Sequence, residues 1–150
     1  MHRRILLAAL SLWVTAGAAG LAQTQAAAAP SLYKRLGGYD AIAAVTDDFV
    51  PRLVNDKVVG RFLVGLSDNS KARLRQNFVD QICAATGGPC LYVGRDMKTA
   101  HKGLGITGAD WDISVKHLID TLDKFKVPEK EKSELLAAVS ALKPDIVEKP

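Results

Sequence analysis

Apolar side chains recur along this chain every three or four residues. No stretch alternates apolar and polar positions between turn signals as a half-buried strand does. Ser31 precedes Leu32-Tyr33-Lys34-Arg35-Leu36, a short helical piece stopped by Gly37-Gly38. Ile42, Val45, Phe49 and Leu53 then share one face and predict a helix over about Tyr39 to Val54. Pro51 inside it is placed to kink it or remove one backbone bond. Leu74, Phe78, Ile82 and Ala85 form a second face, ended by Gly87-Gly88-Pro89. The segment Tyr92 to Gly105 carries three glycines and reads as short and poorly regular. Thr107-Gly108-Ala109-Asp110 resembles a capping box that opens a long helix striped by Trp111, Val115, Leu118, Leu122 and Phe125. Pro128 is placed to start the last helix, with Leu135, Val139, Leu142 and Ile146 on its apolar face and Pro144 disturbing its end. Several amphipathic helices without strands or internal repeats predict one all-α domain.

The amino terminus follows different rules. Met1-His2-Arg3-Arg4 is basic, Ile5 to Ala22 is apolar except for Ser11 and Thr15, and Gly20 and Ala22 fit a cleavage site before Gln23. That is the order of a secretory signal, residues 1–22, followed by a spacer, 23–30, and the folded domain, 31–150. An uncleaved membrane anchor is the alternative, at the lower limit of span length. The alanine-rich exit and the absence of basic residues just after it favour cleavage. The expected destination is the bacterial periplasm or the medium, with membrane contact only through the signal. Loss of Arg3 and Arg4 lowers the net charge from +4 to +2, so the weak hint of nucleic-acid binding disappears with the signal.

Two cysteines exclude a multi-disulfide scaffold. Cys83, Cys90, His101 and His117 lack the short paired spacings of structural zinc. Neither a glycine-rich phosphate loop nor G-x-S-x-G is present. His117 lies about 120° from the centre of its helix's apolar stripe and reads as a flank residue. His101 stands between Met97 and Leu104 on one face. From spacing alone it reads as a partly buried histidine bonded to a backbone carbonyl.

The ordered set Ser31–Gly38, Asp48-Phe49, Gly87-Gly88-Pro89, Tyr92-Val93-Gly94, Met97-x-x-x-His101 and Gly105-Ile106-Thr107 resembles the group I truncated haemoglobins over about residues 31–147. The resemblance implies a two-over-two helical sandwich around a non-covalent b-type haem, with His101 as the proximal iron ligand. Covalent c-type attachment would need C-x-x-C-H, which is absent. A loose helix suits approach of an imidazole to iron, and its second nitrogen should donate to a carbonyl or carboxylate. Phe49, Leu74, Phe78, Met97, Leu104, Trp111, Val115 and Leu118 are the candidate apolar lining, and Tyr92 is similar to a family tyrosine at the haem edge. The implied function is reversible binding of O2, with NO and CO as other diatomic ligands and an electron donor as a further partner. A haem enzyme, oxidising nitric oxide or acting like a peroxidase, is the first alternative. A haem-free helical interaction module is the second.

On the distal side, many family members carry Phe-Tyr where this chain has Phe49-Val50, and that tyrosine donates a hydrogen bond to the bound ligand. Counting back from Gly87-Gly88-Pro89 places Leu74 and Phe78 over the iron, leaving Asn77 and Gln81 as candidate donors. An alternative register anchored on Gln76 would put that glutamine there, although it points about 160° away from Phe78. The family's paired phenylalanines before the distal helix become Phe62-Leu63. In an oxidising compartment Cys83 and Cys90 can pair, provided the helix ends near Thr86-Gly87 and folds back. Seven residues of continued helix would hold them about 10.5 Å apart. The plain alternative is two unpaired small residues.

A hydrogen bond to a charge-bearing ligand contributes about 1.5–3 kcal/mol. Val50→Tyr is therefore expected to slow O2 release by about one to two decades, measured by stopped flow; an unchanged off-rate contradicts the distal assignment.

Overall fold

The computed structural model describes residues 29–149. The signal sequence and residues 23–28 of the spacer lie outside the described residues. Among the described residues seven α-helices follow in order: α1 Leu32–Arg35, α2 Gly38–Asn55, α3 Asp68–Ala85, α4 Met97–His101, α5 Gly108–Lys124, α6 Glu129–Ser140 and α7 Lys143–Ile146. A 3-10 segment, Val59–Leu63, lies between α2 and α3. Among the described residues, the only β pairing is one parallel bridge between Thr107 and Lys149.

Local chemistry sets most of these limits. Ser31 caps α1 by accepting from Lys34 N, and Ser67 caps α3 by accepting from Ser70 N, so α3 begins six residues before the first residue of its predicted face. Pro51 is accommodated within the continuous helix α2. At the start of α5 the Thr107 hydroxyl accepts from Asp110 N at 3.2 Å while the Asp110 carboxylate accepts from Thr107 N at 2.9 Å. Buried Asp110 also takes both oxygens to one Arg61 nitrogen at 2.8 Å, fastening the 3-10 segment to α5.

α2 lies at the centre, packed on α3 and α5. Phe49 and Leu53 from α2, Val59, Leu118 and Leu122 from α5, and Leu135 from α6 form the main buried cluster. A second cluster joins Ile42 of α2 to Val79 and Cys83 of α3. Polar ties follow the same seams. Asp48 of α2 accepts from Arg52, from Lys124 of α5 and from the buried Thr121 hydroxyl. Arg35 of α1 donates to Glu131 and Glu134 of α6.

Helix α3 ends by turning back on itself. Gly88 N donates to Cys83 O and Gly87 N to Ala84 O, a pair of bonds that closes the last turn. Cys83 and Cys90 are joined by a disulfide with Cα atoms 5.7 Å apart. A Cβ at Gly88 would stand 2.6 Å from Cys83 Sγ and 2.5 Å from the Tyr33 ring, so glycine alone fits there.

Phe125 departs from the sequence expectation. It is the C-cap of α5 and 40% exposed, not part of the apolar stripe. Lys126 adopts a left-handed conformation (φ 54°), Lys126 N donates to Asp123 O, and Val127 N donates to Leu122 O. This termination swings Val127 onto the core in place of Phe125. A lysine at such a position carries a steric cost of about 1–2 kcal/mol that glycine avoids, offset in part by glycine's greater freedom when unfolded. Lys126→Gly is expected to stabilise the fold by about 0.5–1 kcal/mol in urea unfolding.

Candidate functional site

The candidate site is organised by the shortest helix that carries a histidine. Asp96 starts α4 by accepting from Thr99 N at 2.8 Å, and these bonds hold its carboxyl below the ordinary carboxylate range, the contact with Thr99 being the main cause. One turn later, His101 Nδ1 lies 2.7 Å from the carbonyl oxygen of Met97. A carbonyl can only accept, so this contact places a proton on Nδ1, and in the neutral ring Nε2 is then the lone-pair nitrogen. Among the described residues Nε2 has no hydrogen-bond partner.

The surroundings of α4 differ from those of the long helices. None of its side chains is fully buried, and its close neighbour is α7, not α2, α3 or α5. Apolar side chains open to water flank it in sequence: Leu91 and Val93 before it are 79% and 77% exposed, and Leu104 after it is 43% exposed. Between them the half-buried Tyr92 donates its hydroxyl to Arg95 O at 2.6 Å, and burial is the main cause raising its pKa. The histidine helix is therefore held off the core and bordered by uncovered apolar surface.

The remaining site candidates fall into three groups. Phe49 and Leu118 belong to the main buried cluster, and Phe78 packs on it with its ring edge-to-face on Phe49 at 5.6 Å. Val50 and Trp111 are buried outside that cluster. Leu74, Asn77, Gln81, Met97 and Val115 are half-buried. Met97 meets the imidazole through its backbone carbonyl, and Leu104 is partly exposed.

Hydrogen bonding separates the amides of α3. Gln76 Nε2 donates to the Tyr39 hydroxyl at 3.0 Å and to Asp80 Oδ1 at 2.9 Å, which commits it to the start of α2. The side chains of Asn77 and Gln81 have no such partner among the described residues.

His117 has a structural post. Its Nε2 lies 2.9 Å from Asp56 Oδ2, while the other Asp56 oxygen accepts from Val58 N and Val59 N. Asp56 thereby joins the end of α2, the 3-10 segment and α5. Sequence spacing placed His117 on a helix flank but could not reveal a partner 61 positions away.

Comparison with known proteins agrees with this architecture. The bacterial-like globin family model matches residues 31–148. The group 1 truncated haemoglobin GlbN of Mycolicibacterium paratuberculosis is 36% identical over 126 residues, covering 84% of this chain and 90% of that protein. The GlbN of Synechocystis is 34% identical over 116 residues, covering 75% and 88%. Among solved structures, the Fe(III) truncated haemoglobin of Tetrahymena pyriformis superposes with a TM-score of 0.73 at 25% identity, covering 80% of this chain and all of that one. The Synechococcus 2/2 haemoglobin, solved in the cyanomet state with covalently attached haem, gives 0.71 at 27% identity, covering 80% of this chain and all of that one. The class defined by the helices is thus the two-over-two globins. Within it, the chain belongs to the bacterial-like globin family as a group I truncated haemoglobin.

Two carboxylates give the fold an acid limit. Asp48 is drawn down to about 2, chiefly by its bonds from Lys124 and Arg52. Asp56 is drawn down to about 2, chiefly by His117 and then by Val59 N and Val58 N. Between about pH 4 and 2 the unfolded chain binds protons that the folded one does not, so this stabilisation is complete above about pH 4 and lost toward pH 2. Melting temperature is expected to fall through that window, and Asp56→Asn to flatten the fall, in thermal scans followed by circular dichroism.

Proposed function

We propose that this globin holds haem b non-covalently, with His101 as the axial iron ligand, and binds a diatomic gas reversibly, O2 first among O2, NO and CO. The observation that carries the reading is the His101 ring: Nδ1 on the Met97 carbonyl, Nε2 without a protein partner, on a helix held off the core. Haem iron, when bound, supplies an open coordination position for the gas.

The chain's own residues determine what surrounds that position. The Met97 carbonyl fixes the ring's tautomer and orientation and raises the basicity of Nε2. Val50, Leu74 and Phe78 exclude water and donate no hydrogen bond. Asn77 and Gln81, whose amides are not otherwise engaged, are the donors available on α3. Leu91, Val93 and Leu104 would gain cover from a bound apolar macrocycle. Export to the periplasm or the medium is part of the reading, supported by the basic-then-apolar start of the chain and by the Cys83–Cys90 disulfide, a bond that persists in oxidising compartments. An electron donor in that compartment would keep the iron ferrous.

The absorption spectrum of the purified full-length chain, reconstituted with haemin, tests the proposal. A Soret band is expected in the unaltered protein, with ferrous spectra showing histidine ligation that His101→Ala abolishes. No Soret band would leave the haem-free helical module as the surviving reading, and an unchanged His101→Ala spectrum would remove His101 as the ligand.

A further inference from the structure

The loop that follows His101 is held from the far end of the chain. Lys102-Gly103-Leu104-Gly105 leaves α4 with left-handed backbone at Gly103 (φ 84°) and Gly105 (φ 66°). Side chains other than glycine rarely adopt that conformation. The two glycine amides meet at one carboxylate: Gly103 N donates to Glu148 Oε1 at 2.6 Å, and Gly105 N donates to Glu148 Oε2 at 2.5 Å. The backbone at Glu148 is tied to the same region. Glu148 N and Lys149 N donate to Ile106 O at 2.9 and 3.1 Å, and Gly108 N donates to Lys149 O at 3.1 Å. Helix α7, against which α4 packs, runs directly into this tail.

A five-residue helix without a fully buried side chain has little packing to fix its position. Beyond its contact with α7, its placement comes from the groups that pin the chain on either side. Asp96 does this at the start of α4. At the end, where His101 sits, Glu148 is the side chain that grips the following loop with both oxygens.

We infer that Glu148 is a positioning residue for the proximal histidine: its two carboxylate oxygens fix the 102–105 loop, and so set the reach and rotation of the His101 ring. The inference rests on the reading of His101 as the axial ligand. The geometry accounts for the paired left-handed glycines, which turn both amides toward one acceptor group. The same two bonds hold the Glu148 carboxyl below its ordinary range, so it remains an anionic acceptor at neutral pH.

The test uses the full haem-loaded chain with Glu148→Ala and Glu148→Gln. Two readouts are taken: hydrogen exchange of the 102–106 backbone by mass spectrometry, and the iron–histidine stretching band of the ferrous protein by resonance Raman. Amide bonds to a charged acceptor are strong enough that Glu148→Ala should speed loop exchange by about tenfold or more. The iron–histidine band should shift or split in the same variant. Glu148→Gln keeps one acceptor oxygen and should fall between the two. Unchanged exchange overturns the inference, and so does faster exchange with an unmoved band, which would make the tail a clamp without influence on the ring. If the unaltered protein shows no iron–histidine band, the ligand assignment fails and the inference falls with it. The exchange rates report the grip of Glu148 on the loop whether or not His101 is the ligand, which keeps the two failures apart.

Discussion

An imidazole proposed as a metal ligand needs one nitrogen tied and the other clear, and the Met97 carbonyl bond to His101 has that form, with a single contact inside one helical turn. Much of the molecule is arranged so that this contact stands apart from the core. An ordinary amphipathic helix would bury one face on its long neighbours. Instead α4 leans on α7, and the long helices build their cluster without it.

That arrangement divides the labour between two parts of the chain. Helix α2 supplies stability: its apolar face packs on α3 and α5, and Asp48 in its middle and Asp56 at its C-cap anchor it to α5. The stretch from Cys90 to Lys102 supplies placement. It contributes little buried area and is held by a disulfide at one end, an Asp96 cap in the middle and, beyond its far end, the bonds from Gly103 and Gly105 to Glu148. Covalent and polar anchors suit such a segment because they fix it without filling the space beside it.

In the proposed site the distal side is apolar. Val50 is buried, and Leu74 and Phe78 on α3 are half-buried. Gln76, the one amide whose register competed for that side, is drawn outward by the Tyr39 hydroxyl and Asp80. The α3 face that remains offers Asn77 and Gln81, whose helical phase beside Phe78 was readable before any contact was known.

Most helices, the cap at Ser31 and the carbonyl-bonded His101 were legible in the chain, because each depends on residues within about four positions of one another. Ser31, the Thr107–Asp110 capping box and the turn at Gly87-Gly88 act over that range, and so does the Met97–His101 spacing. The expected single last helix instead breaks after Ser140, and Leu142 and Ile146 fall outside α6. The exchange of Phe125 for Val127 at the end of α5 was hidden, since it turns on a lysine taking a backbone conformation that its side chain disfavours. Contacts between distant positions arise only when the helices pack. Among them are His117 on Asp56, Arg61 on Asp110, and Glu148 on the loop after His101. A hydrogen bond between residues tens of positions apart leaves no periodicity in the chain, so it becomes visible only when the packing of the long helices has brought its two ends together.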